Sequence, residues 1–146
     1  MGIHTALDTN GALGGKLTDA ELETIDLVIL DMKAWDRERH QRLTSRDVTH
    51  TLDFALRLAE RKRPVWLRYV LVPGLTDDLG DIARIACFAS SLENVERVDV
   101  LPFHQMGRFK WASIGLRYVL GHVDPPAPEL VERVRGLFLA EGLKAF

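Results

Sequence analysis

Apolar and polar positions alternate along the chain in two rhythms that take turns. Short continuous apolar runs mark strands. The first spans roughly Ile3–Asp8, the second Leu27–Asp31, the third Val65–Val72 and the fourth Val95–Leu101. Between them the apolar residues recur at helical spacing. A Gly-rich connection, "NGALGGKLTD", leads into a helix near Asp19–Thr24. Leu52, Ala55, Leu56 and Ala59 define one over Val48–Arg61, with Asp47 or Thr49 as its cap. Ile82, Ile85, Ala86 and Ala89 define another, opened by Thr76-Asp77-Asp78. The last helix lies in "PPAPELVERVRGLFLAEGL", its prolines ahead of the first turn and Gly142 at its C-cap. "RHQRLTS" at 39–45 reads as a mobile loop or a solvated turn, and some twenty residues after the fourth strand read as loop. Strand and helix alternating in this way predict an α/β fold with a parallel sheet covered by helices.

In such sheets, sites form at the C-terminal ends of the strands. Here those ends carry Asp8-Thr9-Asn10, Asp31 with Lys33, and Pro102-Phe103-His104, while Arg68 lies inside the third apolar run. One strand ending in charge is an ordinary exit to solvent; four doing so favour a shared site. Asp31 and Lys33 are two apart and point the same way. Both faces of the third strand are mostly apolar, so Arg68 needs a carboxylate or an anionic ligand, and Asp8 and Asp31 are the nearest candidates. A fixed ion pair and a clamp for a substrate carboxylate are equally compatible with that pattern. The other histidines, His4, His40, His50 and His122, show no ligand spacing and read as surface or capping residues. Trp35, Trp66 and Trp111 read as packing residues.

Composition narrows the classes. With 146 residues and 47% hydrophobic content, the chain can form one domain with a real core. A net charge of −2 with mixed signs gives no reason to expect nucleic acid or an anionic membrane. No apolar run is long enough for a bilayer, and the N-terminus lacks the pattern of a signal peptide. The single cysteine, Cys87, excludes an internal disulfide, fits a reducing cytoplasm, and cannot alone hold an iron–sulfur cluster.

Taken together, "GIHTALDTNG", "DLVILDMK", "VWLRYVLVPGLTDD" and "NVERVDVLPFHQMGRFKW" closely resemble the C-terminal part of the pyruvate formate-lyase activating enzyme family of radical S-adenosylmethionine (SAM) enzymes. The resemblance runs from Gly2 to about Leu143 in the same order and spacing. It implies a partial parallel (β/α) barrel of which residues 1–146 hold the last four βα units of six. The first two units, with the CxxxCxxC loop for a [4Fe–4S] cluster and the segment that meets the SAM amine, are absent, so the chain is expected to be inactive alone. By the same resemblance, Asp31, Met32, Lys33 and His104 would line the SAM pocket. Arg68 would face it and contact SAM or an incoming peptide. Asp8, Thr9, Asp31 and the carbonyl of Ile29 would offer oxygens to a sodium or potassium ion.

The activity implied is that of a [formate-C-acetyltransferase]-activating oxidoreductase of anaerobic glucose metabolism. One electron, from a donor such as flavodoxin or ferredoxin, reaches SAM through the cluster. The resulting 5′-deoxyadenosyl radical takes hydrogen from a glycine of pyruvate formate-lyase or a related glycyl-radical enzyme. The exposed first strand is expected to promote self-association. Two other classes compete: a non-catalytic docking module for a glycyl-radical enzyme, and a small α/β enzyme forming a Schiff base at Lys33.

Overall fold

The computed structural model describes residues 2–146. Four parallel strands, β1 (Ala6–Thr9), β2 (Leu27–Asp31), β3 (Val65–Leu71) and β4 (Val95–Pro102), form one sheet in the order β1-β2-β3-β4. The helices between them are α1 (Asp19–Glu23), α2 (Arg37–Thr44), α3 (Thr49–Glu60) and α4 (Leu79–Ser91). Two more, α5 (Arg108–Ser113) and α6 (Pro128–Ala140), follow β4. The sheet does not close.

Two apolar clusters hold the helices to one face. Leu22, Val28, Leu30, Phe54, Leu58 and Val65 fill the first, around α1 and α3. Leu67, Tyr69, Leu71, Ile82, Ile85, Val98, Val134 and Phe138 fill the second, around α4 and α6. Side chains alternate across a strand. Hence Ile29, Asp31, Trp66, Arg68, Val70, Arg97 and Asp99 point to the other face, and all are only half-buried. Helices cover one face and the other is open, as the expected partial barrel requires. Trp66 and Val70 make that open face of β3 mostly apolar, as interior-facing side chains of an unclosed barrel are.

Other differences from the sequence reading have local causes. β1 starts at Ala6, because Thr5 is tied by its backbone N–H and its hydroxyl to Asp26 and Thr24 ahead of the ladder. The stretch 39–44 is helical, and Ser45 ends it in the left-handed region with φ of 58°. Asp36 caps α2 by accepting the Arg39 N–H at 2.8 Å, and buried His40 faces inward with Nδ1 3.0 Å from the Arg46 carbonyl oxygen. His40 is therefore a core residue and not a surface one. α3 begins at Thr49, with Asp47 accepting the Thr49 N–H at 3.0 Å. Asp78 caps α4, Pro128 starts α6, and Gly142 ends it with φ of 80°. After α6 the chain returns to β4: Val98 donates to the Lys144 carbonyl at 2.8 Å and Val100 to the Phe146 carbonyl at 2.9 Å. The β4 edge is thus partly covered, while β1 pairs only with β2.

Candidate functional site

Parallel pairing puts the strand C-termini at one end, and register decides which side chains meet there. Asp31 on β2 lies directly opposite Arg68 on β3. The Arg68 guanidinium donates through Nε to Asp31 and through both terminal nitrogens to Asp8 on β1, Nη1 to Oδ2 at 2.9 Å. Lys33 donates from Nζ to the other Asp31 oxygen at 3.0 Å. Two carboxylates and two cations therefore form one neutral cluster spanning three strands. Arg68 is three-quarters buried, so the carboxylate expected for it is present twice over. Burial alone would raise the Asp31 carboxyl, but hydrogen bonds from Arg68 and Lys33 outweigh it and hold the group below the usual carboxylate range. The hydrogen bonds that Arg68 donates to Asp31 and Asp8 raise its guanidinium in turn.

The remaining site residues lie differently. Met32 is fully buried in the core with Leu67 and Ile82, so strand alternation turns its side chain away from the cluster and leaves only its backbone toward it. Thr9, next to Asp8 in β1, faces away for the same reason, and its hydroxyl accepts the Gly11 N–H at 3.1 Å. The residue opposite Asp8 is Ile29. His104 follows β4 at the same end of the sheet but is exposed. Its one hydrogen bond among the described residues is local, from the Met106 N–H at 3.4 Å. The structure thus joins Asp8, Asp31, Lys33 and Arg68 and leaves His104 outside their network.

Two residues that sequence reasoning missed shape the site. Asp81, 1% exposed, accepts the N–H groups of Trp35 and Asp36, each at 2.8 Å, and faces Arg39 and Arg84. It clamps the turn that carries Lys33 onto α4. Its position three residues after the Asp78 cap signals only a helix start. Asp99 on β4 stands opposite Arg68 on the other flank but pairs with Arg97, which is stacked between Trp66 and Phe146 at 4.5 and 4.6 Å from the ring centroids.

Chemically, the cluster offers a partly exposed ammonium, with a guanidinium beside it, to a ligand that carries a carboxylate. For a monovalent cation, the hard oxygens of Asp8 and Asp31 are of the right kind, but Arg68 already bridges them. Among the described residues no group of three or more His, Cys, Asp or Glu side chains is placed to hold a metal. A thiolate-held cluster does not fit: Cys87 stands alone and exposed on α4.

An unclosed parallel sheet with helices on its outer face is the fold of radical SAM domains. The chain superposes on the crystal structure of a domain of pyruvate-formate lyase-activating enzyme from Bacteroides vulgatus ATCC 8482 with a TM-score of 0.78 and 25% identity, covering 99% of this chain and 81% of that one. A radical SAM methyltransferase from Sphaerobacter thermophilus matches with a TM-score of 0.68 at 16% identity, over 97% of this chain and 39% of the other. Among curated relatives, the pyruvate formate-lyase-activating enzyme of Staphylococcus epidermidis (strain ATCC 12228 / FDA PCI 1200) is 41% identical over 138 residues, 90% of this chain and 55% of that protein. The chain therefore spans little more than half the length of the curated relatives it matches. No protein-family model matches it.

Proposed function

We propose that the chain supplies the carboxylate-binding side of the SAM site in a radical SAM activase that acts on pyruvate formate-lyase or a related glycyl-radical enzyme. It corresponds to the C-terminal units of the barrel and depends on cluster-bearing units for turnover. The observation that carries this is the Asp8–Arg68–Asp31–Lys33 network at the strand C-termini of a fold shared with activating-enzyme and radical SAM structures. In this reading Lys33 and Arg68 hold the cofactor's carboxylate, Asp31 orients both cations, and His104 borders the pocket from β4. SAM, when bound with a reduced cluster, supplies hydrogen-atom abstraction. The share of this chain is binding, orientation and exclusion of water. Asp8, Thr9, Ile29 and Asp31 would offer oxygens to sodium or potassium only in competition with Arg68. A Schiff base at Lys33 is disfavoured because its Nζ is engaged by Asp31.

Calorimetric titration of SAM into the chain tests the reading. Half a pocket should bind in the millimolar range, about 4 kcal/mol, and Lys33→Ala should weaken binding severalfold. Equal affinity of Lys33→Ala and Asp31→Ala with the parent chain would contradict the assignment.

A further inference from the structure

Beyond the cluster, the segment between β4 and α6 stands apart in both charge and apolarity. From Val100 to Val123 there is no acidic residue, although the whole chain carries a net charge of −2. The same stretch holds Arg108, Lys110 and Arg117, all exposed, and none has an ion-pair or hydrogen-bonding side-chain partner among the described residues. Many cations elsewhere are paired, Arg37 with Asp47, Arg39 with Asp78, Arg57 and Arg61 with Asp19, Arg135 with Glu132; others such as Arg42, Lys62 and Arg133 are not, so what sets the lobe apart is a run of 24 residues with cations and no carboxylate of its own.

Between these cations lie large apolar side chains in water. Met106 is 73% exposed, Phe109 69%, Ile114 68%, Leu116 56% and Val119 65%. An open groove of about 630 Å³ is lined by Met106, Phe109, Leu116 and Tyr118 together with Arg108 and Arg117. Its wall is built: Trp111 packs on Tyr118 at 5.8 Å between centroids, and Gln105 Nε2 donates to the Val123 carbonyl at 2.7 Å, closing the loop on itself. Contiguous exposed apolar surface of this kind marks an interaction site. Arginine and aromatic residues are the types enriched at such interfaces. The lobe follows His104, at the C-terminal end of β4, the end of the sheet that carries the candidate site.

We infer that this lobe docks the protein substrate, through a surface of that protein in which carboxylates surround apolar side chains. The inference rests on the reading that the chain acts on a protein. Charge complementarity selects an acidic occupant, since three free cations face no carboxylate. Three cations are too few for the basic clusters that hold anionic lipid surfaces. The free strand edge of the sheet is β1, at the opposite side, so further strands added to the sheet would not cover the lobe.

The test is binding of the chain to purified pyruvate formate-lyase by interferometry, at about 50 mM and about 300 mM salt. One variant carries Arg108→Glu, Lys110→Glu and Arg117→Glu. A second carries Phe109→Ala and Ile114→Ala. A control with the same charge change carries Arg42→Glu, Lys62→Glu and Arg133→Glu. All these side chains are exposed, so each variant should melt like the parent. The expected result is a parent affinity that falls about tenfold with salt, an equal loss in the triple lobe variant even at low salt, weaker binding in the apolar variant, and no change in the control. SAM affinity should stay the same throughout. Failure of the parent to bind, loss in lobe variant and control alike, or transfer of the charge effect to phosphatidylserine vesicles would overturn the inference. So would a change only in the chain's own sedimentation. If instead pyruvate formate-lyase binds as described but SAM does not bind the parent chain, the docking surface stands and the cofactor reading fails.

Discussion

Arg68 and Asp31 are direct register partners on adjacent parallel strands, and they are hydrogen-bonded through Arg68 Nε. Because neighbouring strands fix their separation, this pair is set by the sheet itself; Asp8 then completes the guanidinium's other side. Replacing Arg68 by Gln leaves two carboxylates facing each other with one cation, and Asp31 is mostly buried. The expected cost is about 1–3 kcal/mol in denaturant unfolding. The melting temperature of the variant should also rise with potassium or sodium more than with a large organic cation, since an inorganic ion can take the vacated place. The parent should show no such preference.

The pH dependence follows from the same pair. Asp31 is depressed in the folded state by Arg68 and Lys33 against the opposing effect of burial. A depressed carboxyl stabilises the fold above its unfolded value, roughly 3.9, and that contribution is lost as pH falls through the folded value. Stability of the parent should therefore fall as the solution is acidified below about pH 5. Asp31→Asn should show a shallower fall over the same range. Urea midpoints measured at successive pH values would decide it, and parallel curves would contradict the assignment.

Asp81 should matter more than its place at a helix start suggests. Its carboxylate is buried and takes the Trp35 and Asp36 N–H groups. Asp81→Ala orphans both donors together with the cations nearby, at an expected cost of about 2–4 kcal/mol. Amide exchange at Trp35 and Asp36 should accelerate well beyond the global change, because the clamp on the turn after β2 is gone. Asp81→Asn should recover part of the protection.

Gly14 is a packing position. A Cβ there would fall 2.2 Å from ring atoms of Phe54, a buried residue of α3 that packs against the 3-10 turn Gly14–Lys16. Gly14→Ala should destabilise by about 1–3 kcal/mol through overpacking, whereas Gly15→Ala, with open space around it, should not.

Much of this was legible in the chain. Apolar runs placed β2 and β3, because parallel strands under helices carry few polar residues; β1 and β4 carry His4 and Thr5 ahead of the ladder and Glu96, Arg97 and Asp99 within it, and were legible from their place in the alternation of strand and helix. Asp8 and Asp31 were legible as the nearest candidates for Arg68, because an arginine inside an apolar run needs a carboxylate or an anionic ligand; which of the two it has only the register shows. α2 was not, since it is polar almost all round and is held by the Asp36 cap and by ion pairs to α4 that no periodicity reveals. Residues 144–146 form too short a run to read as a strand, yet they pair with β4. Strand position alone placed His104 near the cluster, but its side chain is set by the local turn with Met106. The Asp81 clamp joins residues some 45 apart, a relation that only the fold creates.

The β1 edge bears directly on how the chain behaves alone. Its backbone pairs on one side only, and Ile3 just ahead of it is 86% exposed. Such an edge recruits a strand, so sedimentation should show concentration-dependent self-association, reduced by Ile3→Lys with Ala6→Lys. A monomer at all concentrations would show that the edge is inert.

The measurement that bears most directly on the proposed role is complementation. The chain would be mixed, without oxygen and with a reductant, with a separate polypeptide carrying the first two barrel units of an activating enzyme and its cluster. 5′-Deoxyadenosine formed from SAM is then quantified. The chain alone should yield none, the mixture should yield product, and Asp31→Ala with Lys33→Ala should abolish it. Product from the chain alone, or equal yield from the double variant, would contradict the role assigned to these residues.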